Sequence, residues 1–191
     1  MLDFALIFYG PLILVSYAIL FWRHGFDLVH PEPVWLGWTL VAALFALAVV
    51  FFSRWAGGRF AWARDMESEF LHVLGPLTTL EVVALALLSG VGEEAFFRGV
   101  LQPKIGFFWA SLVFGSVHVP FSIRLVPWTI FAWLMGLALG LLYSWSGSLI
   151  PPMAAHALIN GINLYALANR ARQLGISRRA FTHRDDPDDL D

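Results

Sequence analysis

Long uncharged apolar runs, separated by short polar stretches, set the pattern of this chain. Residues 4–22 form one run of about 19 residues and residues 33–53 another of about 21, each enough to cross a ~30 Å hydrocarbon core as a helix. A polar stretch with Arg54, Arg59, Arg64, Asp65, Glu67 and Glu69 follows, and residues 70–77 read as interfacial. A third helix is predicted over 79–101, with Pro103 just beyond as its stop. A fourth is predicted over 105–119, ended by Pro120. Residues 125–169 contain no Asp, Glu, Lys or Arg, a stretch of about 45 residues and too long for one span. Gly147, Pro151 and Pro152 break it into helices near 127–144 and 149–168. The expected fold is therefore an all-α polytopic transmembrane bundle of about six spans.

Composition agrees with that pattern. Residues of the AVILMFWYC set make up 59% of the 191 and charged residues only 14%. Soluble domains run near 45–50% and about 25% respectively, so a soluble globule has too few charges to cover this much apolar surface. A soluble enzyme, a disordered chain and a nucleic-acid binder are excluded; a net charge of -2 offers no basic footprint for a polyanion. The chain has no cysteine, which removes disulfides, thiolate metal sites and a cysteine nucleophile. Met1-Leu2-Asp3-Phe4 lacks the positive start of a cleaved signal peptide, so the first run reads as a retained helix.

Six spans put both termini on one side. That side would hold Arg54, Arg59, Arg64, Arg124, Arg170, Arg172, Arg178, Arg179 and Arg184, against Arg23, Lys104 and Arg98 on the other. The bias predicts cytoplasmic termini, in a bacterial inner membrane. The chain reads as a single membrane domain: residues 1–78 carry two spans and an interfacial segment, 79–168 a core, and 170–191 a cytoplasmic tail. The acidic end, 184–191, reads as solvated and disordered. Trp22, Trp35, Trp55, Trp62 and Trp145 fit an interfacial belt, and Gly136 with Gly140 form a GxxxG suited to close packing within the chain.

The few ionisable residues inside spans carry the chemical information, because each is expensive in lipid. Glu93, Glu94 and Arg98 lie on the third helix, His118 on the fourth, His156 and Asn160 on the sixth. Glu94 and Arg98 are four apart and can pair on one face. Glu93 lies about 100° away, without a local cation. It suits a general base or acid, although a protonated core carboxyl would look the same in sequence. His118 alone reads equally as a hydrogen-bonded core histidine. His156 and Asn160 share a face and can hold an oxyanion or hydrogen-bond between helices. Taking the turn near Pro103, Glu94 lies ~14 Å below it and His118 ~20 Å, with His156 ~10 Å from the same membrane face, so the clusters can meet. Glu93 and His118 can then activate a water, with His156 and Asn160 at the oxyanion. Zinc bound by Glu93, His118 and His156 is the alternative, though no HExxH is present. No serine sits in a GxSxG elbow.

The segment Gly92-Glu93-Glu94-Ala95-Phe96-Phe97-Arg98 resembles the EExxxR motif of the CPBP family, the CAAX-type and bacteriocin-processing intramembrane proteases. Phe114 to His118 is similar to its FxxxH motif, and His156 to Asn160 to its closing HxxxN motif, in the family's order. The resemblance implies a glutamic-type intramembrane endopeptidase. Glu93 would activate water, supported by Glu94 and Arg98; His118 would assist, and His156 with Asn160 would form the oxyanion site. It implies no cofactor, with Zn²⁺ as the alternative, and as partners a membrane-anchored protein substrate and the bilayer. Eukaryotic CAAX members have about eight spans, more than the six read here. Shorter bacterial relatives include myxosortase-type enzymes that cut C-terminal sorting signals on the outer side, which the outward depth of the site favours. Two further readings are a non-catalytic immunity or partner-binding protein on the same scaffold, and a small proton-coupled transporter.

Overall fold

In the computed structural model, residues 1–25, 34–118 and 122–176 are described, and among them there is no strand. The acidic tail and the Trp35 side chain lie outside the described part. Helices α1 (Leu2–His24) and α2 (Val34–Arg59) match the first two predicted runs. Both present apolar side chains outward: Ile7 is 75% exposed and Phe51 79%. Such surface belongs against lipid rather than water. The polar stretch after α2 continues as a helix, α3 (Ala61–Leu74), amphipathic and with Leu71 on its buried side.

Helix α4 (Thr79–Glu94) begins with a capping box: the Thr78 hydroxyl accepts from the Glu81 amide, and the Glu81 carboxylate accepts from the Thr78 amide. The helix does not stop at Pro103. It passes into a π-helical segment, Ala95–Leu101, then into a short helix, α5 (Gln102–Ile105), and ends at Gly106 with φ at 82°. The wider π turns shift the backbone pairing, so that the Gln102 amide donates to the Phe97 carbonyl. Pro103 then stands in the first turn of α5, where a missing amide hydrogen does no harm. Helix α6 (Phe107–Val117) follows, then a 3₁₀ turn at Ile123–Leu125 and α7 (Val126–Ser146). Gly147, in the left-handed conformation, ends α7, and Pro151 and Pro152 open α8 (Ile150–Gln173).

Among the described residues, length and composition support three crossings, 2–23, 36–59 and 123–146, or four if α3 and the 79–105 helix, bent by 107°, count as one. That is fewer than the six expected. The physical reasons are local. Helix α6 has 11 residues, about 16 Å of rise, and does not cross a ~30 Å core by itself. Helix α8 is long enough, but His156, Asn160, Asn163 and Asn169 dilute its hydropathy. Cytoplasmic placement of both termini, which assumed an even number of crossings, rests on the four-span count. The chain is a membrane protein and an all-α bundle.

Helix α4 packs against α1 and α8, α8 against α2, and α6 against α7. The GxxxG glycines serve this packing. A Cβ at Gly136 would lie 3.1 Å from the Ser111 carbonyl oxygen, and one at Gly140 2.9 Å from Gln102 Oε1. Gly115 on the facing helix is tighter still, since a Cβ there would fall 2.7 Å from Trp133 Cβ. Gly115→Ala should therefore force α6 and α7 apart, at about 1–3 kcal/mol. A thermal melt in detergent should show the loss, while Gly57→Ala, with open space around it, should leave the midpoint unchanged or raised.

Candidate active site

The π-helical segment starts immediately after the two glutamates, and such segments recur at functional sites. Glu94 and Arg98 are fully buried, and Arg98 Nε lies 3.0 Å from Glu94 Oε2. Arg98 also donates through Nη2 to the Gly136 carbonyl at 3.2 Å, and its guanidinium stacks 4.9 Å from the Phe114 ring centre. This residue thus ties the π segment to α7 and α6. The predicted Glu94–Arg98 pair is present.

Glu94 has a second partner. Its Oε1 lies 2.8 Å from His156 Nδ1, so Glu94 stands between Arg98 and His156. Glu93, on the neighbouring face, has Oε1 bonded by the Tyr9 hydroxyl at 3.0 Å. Its Oε2 is buried without a hydrogen-bond partner and lies 3.8 Å from His118 Nε2 and 3.9 Å from His156 Nε2.

Each imidazole is oriented from behind. His118 closes α6, and its Nδ1 lies 2.6 Å from the Phe114 carbonyl. A carbonyl can only accept, so Nδ1 carries the proton. The Trp128 ring meets the imidazole edge-on at 5.1 Å, and the Thr129 hydroxyl donates to the His118 carbonyl. In His156, Nδ1 carries the proton for the same reason, because an ionised Glu94 beside Arg98 also only accepts. In their neutral forms both rings therefore turn an Nε2 lone pair toward Glu93 Oε2. Three acceptor atoms face one another at distances too long for direct hydrogen bonds.

These groups line a cavity of about 150 Å³ with Tyr9, Phe131, Met135 and Asn160. An engineered apolar cavity of similar size in another protein admits benzene, so there is room for a water and part of a side chain. Asn160 Nδ2 donates to Ser89 Oγ at 2.9 Å, which uses one of its two amide hydrogens. All six predicted residues, Glu93, Glu94, Arg98, His118, His156 and Asn160, are thus in one region. Glu94 and His118 stand twelve residues on either side of Gly106, so moving the turn from Pro103 makes their sequence distances from it equal. Sequence reasoning missed Tyr9, Ser89 and Trp128. The polar oxygen of Tyr9 within an apolar run is a faint signal; nothing local marks the other two.

The described residues thus place a buried Glu/His cluster within an all-α bundle. Residues 75–162 match the family described as type II CAAX prenyl endopeptidase Rce1-like. That segment is similar to the Rce1-like family, and it contains the three motifs quoted above. The uncharacterized protein YpbD of Bacillus subtilis (strain 168) is 40% identical over 83 residues, 42% of each chain. The chain thus matches less than half the length of that relative. No solved structure matches.

Proposed function

We propose that this protein is a glutamic-type intramembrane endopeptidase, hydrolysing a peptide bond in a membrane-anchored protein near its C-terminus. The observation that carries this reading is the convergence of Glu93 Oε2, His118 Nε2 and His156 Nε2, all acceptors, on one side of the cavity. A water among three acceptors binds by donating both hydrogens. Its lone pair then points outward, toward a carbonyl carbon held in the cavity. Glu93, with His118 beside it, takes the proton as the water attacks and returns it to the leaving amine. Asn160 has an N–H left for the oxyanion. His156 can donate there only as the imidazolium, which Glu94 at Nδ1 favours once a proton is taken up. This assigns His156 a share in water binding that the sequence reading did not give it.

One carboxylate and two imidazoles are also a donor set that zinc takes. The separations of 3.8 and 3.9 Å exceed the ~3.3 Å between ligands ~2 Å from a tetrahedral metal, so a zinc ion would need the three groups to draw together. Among the described residues no group of three or more such side chains is arranged to hold a metal ion. The substrate class is a C-terminal membrane tail, of the CAAX type or a sorting signal, and the terminus-bearing side is the cytoplasm.

The test uses purified protein in phospholipid vesicles, mixed with solubilised membranes from cells lacking it. Mass spectrometry should find new C-termini on membrane-anchored proteins, equally with and without EDTA. No new terminus on any of them contradicts the peptidase reading and is what the binding or transporter alternatives predict. Loss with EDTA that Zn²⁺ restores overturns the metal-free mechanism.

A further inference from the structure

Tyr9 belongs to α1, outside residues 75–162, yet its hydroxyl donates to Glu93 Oε1 at 3.0 Å and its ring lines the cavity. The approach depends on Gly92, the residue before Glu93. A Cβ there would come 3.1 Å from Ile13 Cγ1 and 3.6 Å from the Tyr9 ring, so Gly92 leaves α1 and α4 in close approach and a side chain at 92 would require Ile13 to give way. Tyr9 also packs against the apolar cluster of Ala5, Leu77, Val82, Leu85 and Ala168.

We propose that Tyr9 is a positioning residue of the site, fixing which oxygen of Glu93 does chemistry. A carboxylate has two equivalent oxygens and a side chain free to rotate. With Oε1 engaged by a donor, only Oε2 is left to face His118 and His156. A proton taken from water therefore arrives at Oε2, on the cavity side, where a leaving amine can receive it. The phenol keeps its own proton throughout and donates to Oε1 whether Glu93 is ionised or protonated at Oε2. Helix α1 thus completes a site that the family segment alone leaves with an unrestrained base. The inference rests on Glu93 being the base.

The assay is processing of whichever membrane protein changes most at its terminus between wild-type and Glu93→Ala preparations of the full chain. Tyr9→Phe keeps the ring and removes the hydroxyl. It should lower kcat by about 10- to 100-fold, the size of effect seen when the supporting hydrogen bond of a metal ligand is lost, with KM within about twofold. Tyr17→Phe, on the same helix and away from the cavity, should match wild type. Thermal melting gives an activity-independent arm: Tyr9→Phe should lower the midpoint in wild type and not in a Glu93→Ala background. Wild-type kcat for Tyr9→Phe beside an inactive Glu93→Ala overturns the Tyr9 assignment and leaves the peptidase reading standing. An equal midpoint shift in both backgrounds also overturns it, since the hydroxyl then acts elsewhere. Wild-type processing by Glu93→Ala overturns the base reading itself.

Discussion

Glu93→Gln should lose about 10²- to 10⁴-fold in kcat, the range that general-base catalysis contributes, while folding as well as wild type. The amide is the same size as the carboxylate. Its oxygen can still accept from Tyr9, as Glu93 Oε1 does at 3.0 Å. Its nitrogen takes the place of Oε2 and presents two hydrogens to the His118 and His156 lone pairs. An acceptor facing acceptors becomes a donor facing acceptors, which eases an electrostatic mismatch at the buried orphaned atom without adding a direct hydrogen bond. Water, in contrast, loses the group that takes its proton. Rates and detergent melts measured on one preparation check both halves. More than about a tenth of wild-type rate would contradict general-base catalysis by Glu93, and a large drop in midpoint would contradict the orientation of the imidazoles.

The largest stability effect should come from Arg98→Met. Breaking one partner of a buried ion pair costs about 3–5 kcal/mol, because the remaining charge stays buried without compensation. Here that charge is Glu94, itself fully buried. The substitution also removes the donor to the Gly136 carbonyl and the cation stacked on Phe114. Adding Glu94→Gln should restore much of the loss, since the amide is neutral and keeps an oxygen for His156 Nδ1–H. Denaturation of the single and double variants in the same detergent measures this. Equal stability of Arg98→Met and wild type would show that the pair is not a structural tie.

The site reads clearly from the sequence where scarcity makes a residue conspicuous. Glu93, Glu94 and Arg98 stand out because ionisable groups are rare in apolar helices, and the spacing of Glu94 and Arg98 already implies their pairing. The start of α4 is legible too, because Thr78 and Glu81 form a capping box from local sequence alone. Tyr9 is not legible. Its partner is 84 residues away, and one tyrosine in an aromatic-rich helix looks like packing or an interfacial anchor. The role of His156 was only half visible: the four-residue spacing to Asn160 puts both on one face. Pairing with Glu94 depends on how α8 lies against α4, which no local period encodes. Pro103 misleads for a related reason. A proline normally ends a helix, but the π turns before it have no sequence signature and carry the helix on to Gly106.

The central claim is that Glu93 and His118 together hydrolyse a peptide bond in a membrane-anchored protein. Its most direct test is a comparison of protein C-termini in membranes of cells carrying wild type, Glu93→Gln or His118→Ala. The prediction is that the same set of proteins keeps unprocessed termini in both variants while wild type trims them. Identical termini in all three would contradict the claim.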